Sequence, residues 1–260
     1  MQVFGDDGAR IDVSVDGFDG NALVMIHGFP VTREIWDAQA QALATTHRVV
    51  RPDLRGMGAS SVPDGPYLME TLASDIAAAL DALAIERAAL VGHSLGGYVA
   101  LAFARMYTER VTHLALICSR IVADTPEIAE NRRKNADRIE REAALPAEMV
   151  KRLFAPETLS EHPEIAARAL DLASGIDPRG AASMLRGMAM RASFEDVAPD
   201  LDLPVLIVAG ARDRVAPMEE ARATARAFSR GRLVVCGRSG HLPMLEEPGR
   251  VTEALRELLT

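Results

Sequence analysis

A serine stands between two glycines in the segment Gly92-His93-Ser94-Leu95-Gly96. The apolar run 88–92 before it is typical of a buried strand, and the apolar pattern after it is typical of a helix. A strand that turns sharply into a helix presents a serine hydroxyl clear of the backbone, and the glycines prevent collisions. Ser94 is therefore predicted to be a nucleophile, and the alternative is that it only caps the helix.

A serine hydroxyl is a weak nucleophile and needs a base. His241 lies on a loop between the strand-like run 231–236 and the final helical pattern. Loops at the carboxyl edge of a parallel sheet face one side, so His241 is predicted to reach Ser94. The other histidines carry no comparable motif: His93 is expected to point away from Ser94, His27 to fix the turn after its strand, and His47, His113 and His162 have no assigned role.

The base in turn needs a carboxylate that holds its tautomer and stabilises the imidazolium ion. Asp213 follows the strand-like run 204–209, which gives the chain order Ser94, Asp213, His241. That order is the one found in triads built on α/β sheets. A turn or helix-capping aspartate is the other interpretation of Asp213, and Asp124 is the alternative acid.

The elements that must position these residues alternate between short β-rich runs and helical patterns, which predicts a mostly parallel sheet with helices on both faces. An antiparallel pair is predicted at the start. The sequence predicts an α/β fold with eight strands, at 2–4, 10–15, 22–26, 47–51, 88–92, 113–118, 204–209 and 231–236.

A long stretch without a predicted strand separates the runs 113–118 and 204–209, and it exceeds what a simple crossover requires. Thr125 and Asp177 are predicted N-caps within it. Four helices are predicted, beginning near Pro126, Pro146, Pro163 and Pro178. The predicted division is a core domain at 1–119 and 192–260 and a helical lid at 120–191.

Composition narrows the classes of function. The 260 residues carry a net charge of −8, which argues against nucleic acid as a partner. The sequence has no secretory signal pattern and no membrane-spanning run, so no membrane partner is expected. Cys118 and Cys236 are predicted to be free thiols, which fits a cytoplasmic location. No metal-ligand spacing occurs, and the oligomeric state cannot be read from the sequence.

Four segments together resemble the α/β-hydrolase superfamily. They are His27-Gly28-Phe29-Pro30, the run from Asp53 to Ser60, the Ser94 turn, and the loops of Asp213 and His241. Within the superfamily the chain is most similar to small bacterial carboxylesterases, enol-lactonases and the non-haem haloperoxidases or perhydrolases. A serine at position 94, rather than an aspartate, counts against haloalkane dehalogenases and epoxide hydrolases.

The resemblance implies an oxyanion hole formed by the backbone N–H groups of Phe29 and Leu95, and no cofactor or metal. Pro30 restricts the backbone of Phe29, which supports a fixed direction for its amide. His27, Met188 and Leu242 are candidate pocket residues. Met184 and Met190 are further candidates, with ordinary packing as the alternative for the methionines.

The expected function is hydrolysis of carboxylic esters with small to medium acyl chains, through an acyl-enzyme on Ser94. The expected partner is a small-molecule ester or lactone. Lactone hydrolysis, of the enol-lactone or acyl-homoserine-lactone type, and perhydrolysis are near alternatives because pocket shape alone separates them. Carbon–carbon bond hydrolysis, a non-catalytic ligand receptor and acyl transfer remain further alternatives.

Overall fold

The computed structural model describes residues 1–17 and 20–260. The strands of these residues lie within two residues of their predicted bounds. They are β1 (Gln2–Phe4), β2 (Arg10–Asp16), β3 (Ala22–Ile26), β4 (Arg48–Pro52), β5 (Ala88–His93), β6 (Val111–Ile117), β7 (Val205–Gly210) and β8 (Gly231–Cys236).

The strands form one sheet in the order β1-β2-β4-β3-β5-β6-β7-β8. The pairs β1–β2 and β2–β4 are antiparallel, and every later pair is parallel. The predicted eight-stranded, mostly parallel sheet with an antiparallel start is confirmed. The carboxyl ends of β5, β7 and β8 therefore meet at one edge, where ligands bind in sheets of this kind.

The helices of the described residues begin mostly at a proline or directly after one of the sheet's strands. They are α1 (Asp37–Leu43), α2 (Met69–Ala82), α3 (Leu95–Met106), α4 (Pro126–Glu142), α5 (Ala147–Lys151), α6 (Pro156–Glu161), α7 (Pro163–Ser174), α8 (Pro178–Ala189), α9 (Met218–Ala227), α10 (Pro243–Glu246) and α11 (Pro248–Leu258).

Alternate residues of each central strand point to opposite faces of the sheet and enter two separate hydrophobic clusters. Leu23 and Met25 of β3 lie in the cluster that includes α1 and α11, whereas Val24 and Ile26 lie in the cluster that includes α2 and α3. Both faces of β3 and β5 are buried, which explains their continuous apolar sequences.

Five helices, α4 to α8, lie between β6 and β7, and we call residues 126–189 the insertion. The prediction of four helices was wrong by one, because α6 begins at Pro156 and spans only six residues. Fewer than two turns give no hydrophobic period to detect. The N-cap predictions are confirmed: Thr125 accepts a hydrogen bond from Ile128 N, and Asp177 accepts one from Arg179 N.

Over the described part of the chain, none of the helices has the length and apolar composition that crossing a membrane requires.

Candidate active site

Ser94 occupies the turn between β5 and α3 in a strained conformation, with φ 49° and ψ −111°. A non-glycine residue held there costs free energy and persists only where its surroundings impose it. A Cβ atom on Gly92 would collide with the carbonyl of Gly96, and one on Gly96 would collide with the carbonyl of Ile26. The glycines therefore allow the strand, the turn and the helix to approach closely enough to hold Ser94 in this conformation.

His241 and Asp213 form a buried pair, with His241 Nδ1 2.7 Å from Asp213 Oδ2. Asp213 also accepts hydrogen bonds from the backbone N–H groups of Val215 and Ala216, at 2.7 and 3.0 Å. Burial acts to raise the pKa of Asp213, but the charge and hydrogen bond of His241 together with the two N–H groups lower it overall. The carboxylate stays ionised and accepts a hydrogen bond from Nδ1–H of His241, which leaves Nε2 as the nitrogen without a proton.

Two hydrogen bonds fix the backbone of His241. Its N–H donates to the carbonyl of Leu153, which follows α5, at 2.6 Å. Its own carbonyl accepts a hydrogen bond from His93 Nε2 at 2.8 Å. The backbone that carries the imidazole of His241 is thus held on one side by the insertion and on the other by His93, the residue next to Ser94.

His93, which the sequence leads us to expect pointing away from Ser94, lies beside His241. Its ring lies 5.0 Å from the ring of His241 between centroids. Burial, with a smaller effect of His241, lowers the pKa of His93 to about 3, so the ring is neutral and donates through Nε2. Its place directly before Ser94 was the available signal in the sequence, but its backbone partner lies 148 residues away.

His27 orients the backbone of the turn after β3. Its Nδ1 is 2.8 Å from the carbonyl of Gly28, and its Nε2 accepts a hydrogen bond from Leu54 N at 3.0 Å. Burial lowers the pKa of His27, so the ring is neutral and Nδ1 carries the donated proton. The C=O and N–H of a trans peptide point in opposite directions, so this bond directs the amide of Phe29 away from His27.

A cavity of about 540 Å³ contains Ser94 and His241 in its wall. The sheet side contributes Phe29, Pro30, Ser94, Tyr98, Arg120, Val215, Pro217, Glu220 and His241. The insertion contributes Ile128, Asn131, Arg132, Asn135, Arg138, Glu148, Met149, Arg152, Leu153, Leu185 and Met188. The cavity therefore lies between the carboxyl edge of the sheet and the insertion.

Of the candidate pocket residues, some lie in the wall of the cavity and others do not. Met188 lies in the cavity wall, as does Met149, which the sequence did not single out. His27 and Leu242 are fully buried and lie outside the wall as described, because His27 holds the turn and Leu242 packs in the core. Met184 is likewise buried in the core, and Met190 is largely exposed.

Asp124, the alternative acid, has other partners. It forms ion pairs with Arg132 and with Arg191, the latter at 3.2 Å. Both carboxylate oxygens are used in these contacts. Asp213 rather than Asp124 is therefore the acid that the fold brings to His241.

Cys118, at the end of β6, is a third neighbour of the Asp213–His241 pair. Its sulfur, a carboxylate oxygen and an imidazole nitrogen all lie within 4.8 Å of one another. Burial raises the pKa of Cys118 well above its ordinary value, so the sulfur is a neutral thiol. The Cys118 sulfur lies 3.9 Å from the carbonyl oxygen of Gly240, the residue before His241.

Comparison with known proteins decides the family. A family model described as the alpha/beta hydrolase fold matches residues 21–248. The chain belongs to this family. The superfamily resemblance and the fold class predicted from the sequence are confirmed, and the chain is an α/β hydrolase.

Among solved structures, this α/β hydrolase is similar to a thermophilic esterase from Thermogutta terrifontis, solved with malate bound. The identity is 38%, the match covers 100% of this chain and 97% of the other, and the TM-score is 0.95. The enol-lactonase from Burkholderia xenovorans is 26% identical, with coverage of 100% and 99% and a TM-score of 0.91. The 3-oxoadipate enol-lactonase 2 of Acinetobacter baylyi is 29% identical over 93% of this chain and 89% of its own length.

Proposed function

We propose that this α/β hydrolase cleaves carboxylic esters with small to medium acyl chains by a serine mechanism. The observation that carries the proposal is the buried Asp213–His241 hydrogen bond beside the cavity that Ser94 enters. His241 Nε2 takes the proton of Ser94 as the hydroxyl oxygen attacks the ester carbonyl. The alkoxy group then leaves as an alcohol with the proton from His241, and an acyl-enzyme remains on Ser94.

The second half of the reaction reverses these roles. His241 removes a proton from water, which attacks the acyl carbon, and the carboxylic acid departs as Ser94 regains its proton. Asp213 stabilises the imidazolium ion formed in each half. Neither step changes an oxidation state, and each proton passes between Ser94, His241, water and the leaving alcohol.

The backbone N–H groups of Leu95 and Phe29 are the proposed oxyanion donors. Leu95 is the first residue of α3, where an N–H has no partner within the helix. Phe29 lies in the cavity wall, and the bond from His27 to Gly28 directs its amide. Each donor is expected to stabilise the transition state by about 3 kcal/mol.

The insertion is proposed to act as a lid that closes the cavity opposite Ser94. Its helices α4, α5 and α8 supply about half of the cavity wall. Lactone hydrolysis is the second candidate, because two relatives are enol-lactonases and the same triad opens a cyclic ester. A lactone and an open ester differ only in whether the leaving alcohol stays attached to the acyl group.

The test combines labelling with turnover. A fluorophosphonate probe should label the native protein and the Ser160→Ala control, since Ser160 is an exposed serine of the insertion. Ser94→Ala should abolish labelling and the hydrolysis of nitrophenyl butyrate. His241→Ala should lower turnover on the order of 10⁴-fold or more without unfolding the protein. A native protein that neither labels nor hydrolyses esters or lactones would sink the proposal.

A further inference from the structure

Three charged side chains meet at the two ends of the insertion, with one carboxylate between two guanidinium groups. Asp124 pairs with both Arg132 and Arg191. The side chains of Asp124 and Arg191 are 3% and 0% exposed, and that of Arg132 is 20% exposed. The cluster therefore holds one excess positive charge in a largely buried position, which is costly unless an anion balances it.

Arg132 is the member of this cluster that reaches the cavity. Its Nε and Nη2 donate to Asp124, while Nη1 lies 3.4 Å from the sulfur of Met188. The Tyr98 hydroxyl is a further neighbour of this guanidinium, and neither a hydroxyl nor a thioether is as strong an acceptor as a carboxylate. Arg191 instead lies over the ring of Tyr98, at 3.9 Å from its centroid, and has no place in the cavity wall as described.

Two other guanidinium groups of the wall have carboxylate partners, and a third, that of Arg152, is exposed, so that water screens its charge. Arg120 pairs with Glu220 at 3.0 Å, and Arg138 pairs with Glu142 and Glu148 at 3.0 and 3.1 Å. Their charges largely cancel within the wall. The excess charge that reaches the cavity and is largely shielded from water is thus centred on Arg132, in a protein whose net charge is −8.

We propose that the substrate of this hydrolase carries a carboxylate group that binds Arg132, so that the cavity selects anionic esters or lactones over neutral ones. This inference rests on the proposed function, since it names the substrate class of the same site. The carboxylate oxygen takes the place of the Met188 sulfur at Nη1 and balances the excess charge. A charge-assisted hydrogen bond of this kind is expected to favour the anionic substrate by roughly 10- to 100-fold.

The test compares matched esters that differ by one group. Monomethyl adipate and methyl hexanoate have the same acyl length and differ in a terminal carboxylate, and glutarate and succinate monoesters extend the series to shorter reach. The wild-type kcat/KM should be higher for the carboxylate member of at least one pair. The preference for the anion is the kcat/KM of the carboxylate ester divided by that of its neutral partner. Arg132→Gln should lower this ratio by roughly 10- to 100-fold, and Arg132→Lys should restore part of it.

Arg133→Gln is the matched control, because it removes the same charge from the same helix at an exposed residue paired with Glu130. Its ratio should equal that of the wild type. Arg132→Gln leaves Asp124 and Arg191 as a one-to-one pair, so the variant is expected to fold. A wild type and an Arg132→Gln variant with the same ratio would overturn the inference while leaving the proposed function intact.

A binding measurement separates the two proposals further. Adipate should raise the melting temperature of the wild type and of Arg133→Gln, and raise that of Arg132→Gln much less. This shift supports the anion site even if no ester is cleaved, which would contradict only the serine mechanism. Equal shifts in all three proteins, or none in any, would count against the site.

Discussion

The cavity has two walls that are built in different ways. On the sheet side, Ser94, Asp213 and His241 follow strand ends, and each is held by backbone hydrogen bonds or by a strained turn. On the insertion side, Arg132 and Met188 project from the surfaces of α4 and α8, which pack against each other. Under the proposed function, the sheet edge performs the chemistry and the insertion selects the molecule that undergoes it.

The two walls are nevertheless connected by hydrogen bonds next to His241. The carbonyl of Leu153 holds the N–H of His241, and Glu246 accepts a hydrogen bond from Ala155 N at 2.9 Å. The same carboxylate group accepts one from Gly240 N, also at 2.9 Å. Loss of the insertion would therefore remove hydrogen bonds next to His241 as well as the insertion side of the cavity.

The largest difference between the walls is expected from their two aspartates. Asp213→Asn should lower kcat for a neutral nitrophenyl ester on the order of 10³- to 10⁴-fold, because an amide that donates to Nδ1 imposes the wrong tautomer on His241. Asp124→Asn should cause a much smaller loss of kcat and a larger loss of stability, since it leaves two buried guanidinium groups without a carboxylate. Steady-state kinetics with urea unfolding of both variants measures this.

A loss of kcat in Asp124→Asn that equals that of Asp213→Asn, in a protein that remains folded, would move the acid to the insertion side. Circular dichroism of each variant provides the necessary control for folding.

The sheet wall could be predicted from sequence because its signals are local. The Gly92 to Gly96 segment, the run before it and the pattern after it specify the turn at Ser94 within a few residues. The chain order of Asp213 and His241 then follows from the loops that parallel strands place at one edge. The bounds of the strands could be predicted from the apolar runs and the turn residues between them alone.

The insertion wall could not be predicted in the same detail. The sequence of α4 carries charges of both signs, which is typical of a solvated face. Nothing local shows that Arg132 shares Asp124 with Arg191, which lies 67 residues beyond that aspartate. The six-residue α6 escaped detection for lack of a period. The position of His27 after β3 predicts its role in fixing the turn, and its hydrogen bonds confirm this. The backbone partner of His93, in contrast, leaves no trace in side-chain patterns.

His27 tests whether the sheet wall depends on these backbone contacts. His27→Leu removes the hydrogen bond to Gly28 that directs the Phe29 amide, so kcat should fall by up to roughly 100-fold with little change in KM. His27→Asn can place an amide N–H near the position of Nδ1 and should recover much of kcat. Equal losses in both variants, or a change confined to KM, would contradict a role in orienting that peptide.

His93 makes the sheet wall sensitive to acid. Its pKa of about 3 in the folded protein lies below the value near 6.5 of an unfolded histidine, so the unfolded chain binds the extra proton between these pH values. Stability that is fully present above pH 6.5 is therefore lost as the pH falls toward 3, at about 1.4 kcal/mol per pH unit. His93→Gln keeps a donor for the carbonyl of His241 and should unfold in urea with a shallower pH dependence.

The quantity to compare is the difference in unfolding free energy between the wild type and His93→Gln from pH 6 to 4.5. The difference isolates His93, since the carboxylates titrate in both proteins. An equal pH dependence in the two proteins would show that His93 takes up its proton in the folded state as readily as in the unfolded chain, which would contradict the prediction.

The smallest expected effect concerns the insertion alone. Thr125 caps α4, the helix that carries Arg132, through a hydrogen bond from Ile128 N at 3.3 Å. Thr125→Ala should cost about 1 kcal/mol of stability. Because α4 presents the substrate wall, KM for a carboxylate ester should rise more than kcat falls. Asp177→Ala, at the cap of α8, is the companion variant, since Met188 lies on that helix. If either change lowered kcat for a small neutral ester as strongly as Asp213→Asn does, chemistry and substrate selection would not be divided between the two walls. The hydrogen bond between Leu153 and His241 would then be the contact that carries the effect from the insertion to the sheet wall.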